Sequence, residues 1–212
     1  MRRLPVYLLL DTSGSMTGEP IEAVKNGMQV LVSTLRQDPY ALETAFLSVI
    51  TFDSTATQLV PLTDLASFQP PEIRASGATS LGAGLSLLAQ SFDREIAKST
   101  AEVKGDWKPL VFIMTDGGPT DQWQQGLAEL QKRKPGLIVA CGAGSAADTN
   151  VLKQISEVVV SLDTADSASI KAFFKWVSAS ISTGSQKIED SGKEVGGLNE
   201  LPPPPPEVNV VV

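Results

Sequence analysis

The chain has 212 residues, enough for one domain with a sizeable core and a short appendage. Its net charge of −7 comes without a concentrated basic block, which argues against a nucleic-acid or anionic-membrane surface. The absence of His removes His–Cys zinc sites, Ser–His and Cys–His dyads and His general bases together, and the single Cys, Cys141, excludes an internal disulfide and points to a reducing compartment.

Met1-Arg2-Arg3 leads into an apolar run that Asp11 interrupts too soon for a membrane span, with no small-residue cleavage site. A cytoplasmic protein is therefore expected. The run itself, Val6-Tyr7-Leu8-Leu9-Leu10, lacks the polar alternation of a half-exposed strand and reads as one buried on both faces. It ends in Asp11-Thr12-Ser13-Gly14-Ser15. In an extended segment residues 11, 13 and 15 point the same way. Ligands of open α/β sheets sit just beyond the carboxyl ends of the strands, so three hard oxygens converge where a site is expected. Such oxygens suit Mg²⁺ or a similar small divalent ion. The competing reading of Asp11 and Ser13 is a turn or helix cap.

Gly18-Glu19-Pro20 opens a helix whose apolar residues, Ile21, Val24, Met28, Leu31, Val32 and Leu35, recur at helical spacing, and Asp38-Pro39 closes it. Residues 43–52 read as a second strand, and 55–62 alternate weakly, as an edge strand or hairpin partner does. A turn-rich segment follows through Pro70, Pro71, Gly77 and Thr79. Leu81, Leu85, Leu88, Phe92 and Ile96 mark a helix with Gly82 and Gly84 near its packing face. Each glycine costs a helix roughly 1 kcal/mol against alanine, so the pair predicts close backbone approach.

After a charged loop at 98–108, Leu110-Val111-Phe112-Ile113-Met114 is the strongest apolar run. It ends in Thr115-Asp116-Gly117-Gly118-Pro119-Thr120-Asp121, a second carboxylate at a strand's carboxyl end. Asp121 reads as the N-cap of the next helix, a short one around Trp123, Leu127 and Leu130. Trp107 and Trp123 either rim a partner surface or pack in the core, and Asp53 reads as a turn residue. Residues 136–141 form the next strand; Cys141 at its end is a small buried residue rather than a nucleophile. A short helix with Val151, Leu152 and Ile155, a last strand at 157–162 and a closing amphipathic helix with Ile170, Phe173, Phe174, Val177 and Ile181 complete the pattern.

This alternation predicts an α/β fold: a Rossmann-like, doubly wound, mostly parallel sheet with one antiparallel edge strand and helices on both faces. The domain is expected over 1–182. Residues 183–212 turn to Ser, Gly, Lys and Glu and then to the proline run 202–206, and are expected to be a flexible tail carrying polyproline II. The apolar residues 208–212 have no explanation in the sequence.

Three loops stand out together. One carries Asp11, Ser13 and Ser15, one Gly77-Ala78-Thr79-Ser80 at a helix start, and one Asp116. Two Asp charges balance one divalent cation, and so few protein oxygens leave a position of an octahedral Mg²⁺ open for an incoming carboxylate. Such docking requires no chemical step.

At these residues the chain resembles von Willebrand factor A domains: Asp11-Thr12-Ser13-Gly14-Ser15-Met16, Thr79 and Asp116-Gly117 match their metal-ion-dependent adhesion site, and the likeness spans about residues 4 to 181. More narrowly it is similar to the TerY-like A domains of bacterial tellurium-resistance gene clusters, in Leu4-Pro5-Val6-Tyr7-Leu8-Leu9-Leu10-Asp11, Met16-Thr17-Gly18-Glu19-Pro20-Ile21, Asp116-Gly117-Gly118-Pro119-Thr120-Asp121 and Cys141-Gly142-Ala143-Gly144. The resemblance implies an Mg²⁺ or Mn²⁺ ion touched by Ser13, Ser15 and, when engaged, Thr79, with Asp11 and Asp116 acting directly or through water. It also implies protein partners, a kinase-like and a phosphatase-like protein, in a stress phosphorylation module. The rival class is an Mg²⁺-dependent phosphatase or phosphotransferase of the aspartyl-phosphate type. Such enzymes usually carry a second carboxylate two residues on, where this chain has Ser13, and no Lys near the loops is an obvious phosphate partner, although Lys108 precedes the Asp116 strand. A third reading is a metal-free scaffold whose loop oxygens satisfy one another.

Overall fold

In the computed structural model, which describes residues 2–211, β1 (Leu4–Asp11) is buried along its whole length, as its unbroken apolar run requires. It pairs in parallel with β2 (Ala45–Phe52) on one side and with β4 (Leu110–Thr115) on the other. Parallel pairing continues through β5 (Ile138–Ala143) to β6 (Val158–Leu162). The edges are antiparallel: β3 (Ala56–Asp64) against β2, where an edge strand is expected, and β7 (Asn209–Val210) against β6, where none is. The seven strands lie in the order β3-β2-β1-β4-β5-β6-β7.

Alternate side chains of the central strands enter opposite cores. Val6, Leu8 and Leu10 pack with α1 (Glu19–Leu35) and α6 (Ser167–Ser191), while Tyr7 and Leu9 pack with α3 (Leu81–Glu95), α4 (Trp123–Lys132) and α5 (Thr149–Ile155). Each fully buried Leu, Ile, Val or Phe stabilises the fold by about 1.5–3 kcal/mol, which holds the sheet rigid beneath whatever its upper edge carries. α1 stops at Leu35, before Asp38-Pro39, and these two residues instead start the short helix α2 (Pro39–Thr44): the Asp38 carboxylate accepts from the amides of Tyr40 and Ala41. Of the α3 glycines, Gly82 makes the expected backbone approach, whereas Gly84 faces the side chains of Leu9 and Phe52, each 3.1 Å from where its Cβ would lie. A Cβ on Gly82 would lie 2.7 Å from the Cα of Trp123, and one on Gly126 would lie 2.3 Å from the Gly82 carbonyl oxygen, so α3 and α4 touch backbone to backbone.

The expectation of a flexible tail from residue 183 is corrected. α6 runs on to Ser191, burying Gly184, Ser185 and Ile188, and ends at Gly192 in the left-handed region. The chain then returns along the body. Val195, Leu201 and Val208 are buried, the Trp176 indole N–H donates to the Pro202 carbonyl at 2.8 Å, and Lys187 pairs with Glu200 at 2.7 Å. The proline run thus lies against an aromatic residue of its own chain. The apolar end supplies β7, which covers the outer edge of β6. Its anchors are too far apart in sequence to show periodicity, so composition alone conceals them. Met1 and Val212 lie outside the described residues. Among the described residues no helix is long and apolar enough to cross a membrane.

Candidate metal centre

The strand order reverses between β1 and β4, so a crevice opens where their carboxyl ends diverge. Pairing of Leu10 with Met114 puts Asp11 beside Thr115, and Asp116 follows at once. The Asp11 carboxylate, 1% exposed, accepts from the Ser13 amide through Oδ1 at 2.8 Å and from the Thr115 hydroxyl through Oδ2 at 2.5 Å. Ser13 is extended, and a 3₁₀ turn at Gly14–Met16 folds Ser15 back over it. The Ser15 hydroxyl donates to Asp116 Oδ1 at 2.7 Å, and the Ser13 and Ser15 oxygens are 3.1 Å apart. Since the one Ser15 proton points to Asp116, Ser13 donates to Ser15. Asp11, Ser13 and Asp116 are buried and Ser15 is exposed, so the group opens to solvent at Ser15.

The 76–80 loop is tied to this first loop by backbone. The Ser76 amide donates to Thr12 O at 2.8 Å and the Gly14 amide to Gly77 O at 3.0 Å, while the Ser80 amide ties the loop to the turn after β2 by donating to Asp53 O at 2.7 Å. Gly77 is required at its place: its φ is +76°, and a Cβ would lie 2.4 Å from Ser54 Oγ. Thr79 is thereby buried on the adjoining loop. Asp11, Ser13, Ser15 and Asp116 are linked through their own side-chain or amide hydrogen bonds. Thr79 is held by its main chain, and among the described residues its hydroxyl bonds to none of the other four.

Burial holds the Asp116 carboxyl above its ordinary pKa, the neighbouring Asp11 charge pushes the same way, and the hydrogen bond from Ser15 opposes them. A cation at this point counters both upward causes. The donors are hard carboxylate and hydroxyl oxygens, and they fit a small divalent ion. Among the described residues no group of three or more acidic or Cys side chains is placed to hold a metal, so an ion here depends on the hydroxyls. A surface cavity of about 600 Å³ lies at the opposite pole, between Trp107, Lys108, Gly136, Glu157 and Glu194; its size gives it no part in this chemistry.

Several residues stand elsewhere than expected. Asp121 is a cap, but of α3 rather than the next helix: its two oxygens accept from the Gly82 and Ala83 amides at 2.9 Å each. Trp123 is buried, and Trp107 lies under the Arg2 guanidinium at 3.4 Å near the amino end of β4, so neither rims the oxygen cluster. Asp53 accepts from the Thr55 amide at 3.0 Å, the turn role expected of it. Sequence reasoning missed Thr115, although a lone hydroxyl closing an apolar run beside the candidate Asp116 is a visible signal. It also missed Thr120, whose hydroxyl accepts from the Thr79 amide at 3.1 Å.

A doubly wound sheet with hydroxyls and two carboxylates at its switch point defines a Rossmann-like α/β domain with an oxygen-lined crevice. The family model of the von Willebrand factor type A domain matches residues 6–175, and the chain belongs to that family. It is 34% identical over 123 residues to the protein sll0103 of Synechocystis sp., a match that covers 55% of this chain and 26% of that protein. Among solved structures it resembles a von Willebrand factor type A protein from Catenulispora acidiphila, with a TM-score of 0.65 at 16% identity over 86% of this chain and 43% of that one. It also resembles proximal thread matrix protein 1 of the mussel byssus with a zinc-occupied MIDAS motif, with a TM-score of 0.61 at 22% identity over 84% of this chain and 48% of that one. At those identities the likeness establishes the fold. The chain spans less than half of each of these proteins.

Proposed function

We propose that this chain is a metal-dependent protein-interaction module without catalytic activity, which binds an acidic side chain of a partner through a divalent cation. Asp11, Ser13, Ser15, Thr79 and Asp116 hold the ion, with Mg²⁺ or Mn²⁺ as the native metal. The bound ion supplies a coordination position for the partner's carboxylate. Asp11 and Asp116 offset the ion's charge, and the serine hydroxyls complete its protein side while Ser15 keeps the entrance open.

The observation that carries this is the hydrogen-bonded set Asp11, Ser13, Ser15 and Asp116 at the strand-order reversal. Family membership supports it, since domains of this family mediate protein–protein interactions, and the mussel relative has zinc in its MIDAS motif. The aspartyl-phosphate alternative gains no phosphate partner from Lys108. Lys108 lies just before the amino end of β4, 3.8 Å from Glu194, with the length of the strand between it and the site. The resemblance of its motifs to TerY-like domains supports a kinase-like and a phosphatase-like partner in a tellurite-resistance or stress phosphorylation system. With a single Cys, Cys141, which is free, the chain has no internal disulfide, which suits the cytoplasm.

The test is thermal unfolding of wild type and Asp11→Ala during titration with Mg²⁺ or Mn²⁺. At 100 times Kd a site-bound ion adds about 2.7 kcal/mol, which is roughly 5–11 °C for a chain of this size. An equal response in the two proteins removes the proposal.

A further inference from the structure

We infer that Thr120 and Asp121 are positioning residues that lock the Thr79 loop to the Asp116 loop and preset the spacing of the cation's ligands; the inference rests on the metal reading above.

Thr120 grips the main chain of Thr79 on both sides. Its amide donates to Thr79 O at 2.9 Å, and its hydroxyl accepts from the Thr79 amide at 3.1 Å. The next residue, Asp121, takes the amides of Gly82 and Ala83. These are among the orphan amides at the start of α3, which a local side chain ordinarily satisfies. Ser80 stands at that N-cap position but makes no cap bond; its hydroxyl donates to Ser54 O at 3.2 Å. The helix that begins two residues after Thr79 is therefore capped from 38 and 39 positions away, by the loop that carries Asp116.

Glycine makes this approach possible. The Asp121 Oδ2 would be 2.9 Å from a Cβ on Gly82, inside contact distance. A local cap by Ser80 would serve α3 alone equally well. The long-range cap does something a local one does not: it fixes the hydroxyl arm at Thr79 relative to the carboxylate arm at Asp116 before any ion arrives. Residues that orient ligands in this way typically alter metal affinity about 10–100-fold when replaced.

Thr120→Val keeps the shape and the backbone bond but removes the acceptor for the Thr79 amide, whereas Thr120→Ser retains it. Mn²⁺ affinity by calorimetry, and hydrogen exchange of the Thr79 amide without metal, read the two effects separately. Thr120→Val is expected to bind Mn²⁺ about tenfold more weakly and to exchange the Thr79 amide faster, with Thr120→Ser behaving as wild type. Asp121→Asn, which turns an N–H toward an N–H, serves as the second variant, with weaker Mn²⁺ binding and faster exchange at Gly82 or Ala83. Wild-type Mn²⁺ affinity in both Thr120→Val and Asp121→Asn, or an unchanged Thr79 amide in Thr120→Val, overturns the positioning role alone. Wild-type protein that binds no Mn²⁺ overturns the metal reading and the positioning role with it.

Discussion

Replacing Thr115 with Val removes one hydroxyl and almost no volume. Thr115 and Asp11 are 2% and 1% exposed, so water cannot take over the lost hydrogen bond. The Thr115 hydroxyl is the donor to Asp11 Oδ2, and the remaining side-chain oxygen, Oδ1, keeps only the Ser13 amide among the described residues. A hydrogen bond to a carboxylate contributes about 1.5–3 kcal/mol, and stripping a buried acceptor of its donor exposes the full desolvation cost. Val matches Thr in shape and suits a strand, so cavity and propensity effects are small. The expected loss is therefore about 1.5–3 kcal/mol, or roughly 3–12 °C in Tm. Urea unfolding in EDTA followed by far-UV circular dichroism measures it, and Thr115→Ser should recover most of it. A loss under about 0.5 kcal/mol, the level of an ordinary surface substitution, refutes the claim that Thr115 sustains Asp11.

Leu201→Ala tests the returning C-terminal segment: because Leu201 is buried, truncation should cost about 2 kcal/mol or more in urea unfolding, where a loose tail costs nothing. Gly82→Ala drives a Cβ into the Trp123 backbone and should destabilise by about 1–3 kcal/mol by the same assay. Glu200 supplies a pH dependence. The hydrogen bond from Lys187, and then that from the Gly196 amide, hold its carboxyl below the ordinary range. A lowered folded value means that its stabilisation is present above the ordinary glutamate range and is lost as pH falls through the lowered value. The Tm advantage of wild type over Glu200→Gln should accordingly exist at pH 7 and vanish in strong acid.

Most of the sheet was legible because buried parallel strands are written as unbroken apolar runs, and β1 and β4 are the clearest of them. The oxygen cluster was legible for a related reason. In a doubly wound sheet the residues that follow such runs share one edge, so Asp11 and Asp116 needed only the strand order to meet. What stayed hidden depends on contacts between distant segments. The returning segment is secured by Val195, Leu201, Val208 and Trp176, which share no period. Asp121 has the look of a local cap, and only the tertiary fold shows that its partners are Gly82 and Ala83. Thr79 could be placed near the site by motif, but the backbone ties from Gly14, Ser76 and Ser80 that bring it there leave no mark in composition.

The most direct measurement is anomalous X-ray diffraction from crystals soaked in Mn²⁺. A cation centre built from Asp11, Ser13, Ser15, Thr79 and Asp116 predicts one strong peak among those side chains, with oxygens about 2.0–2.3 Å away as hard divalent ions require. A map with no peak there, in crystals where the same wavelength reveals Mn²⁺ elsewhere, contradicts it.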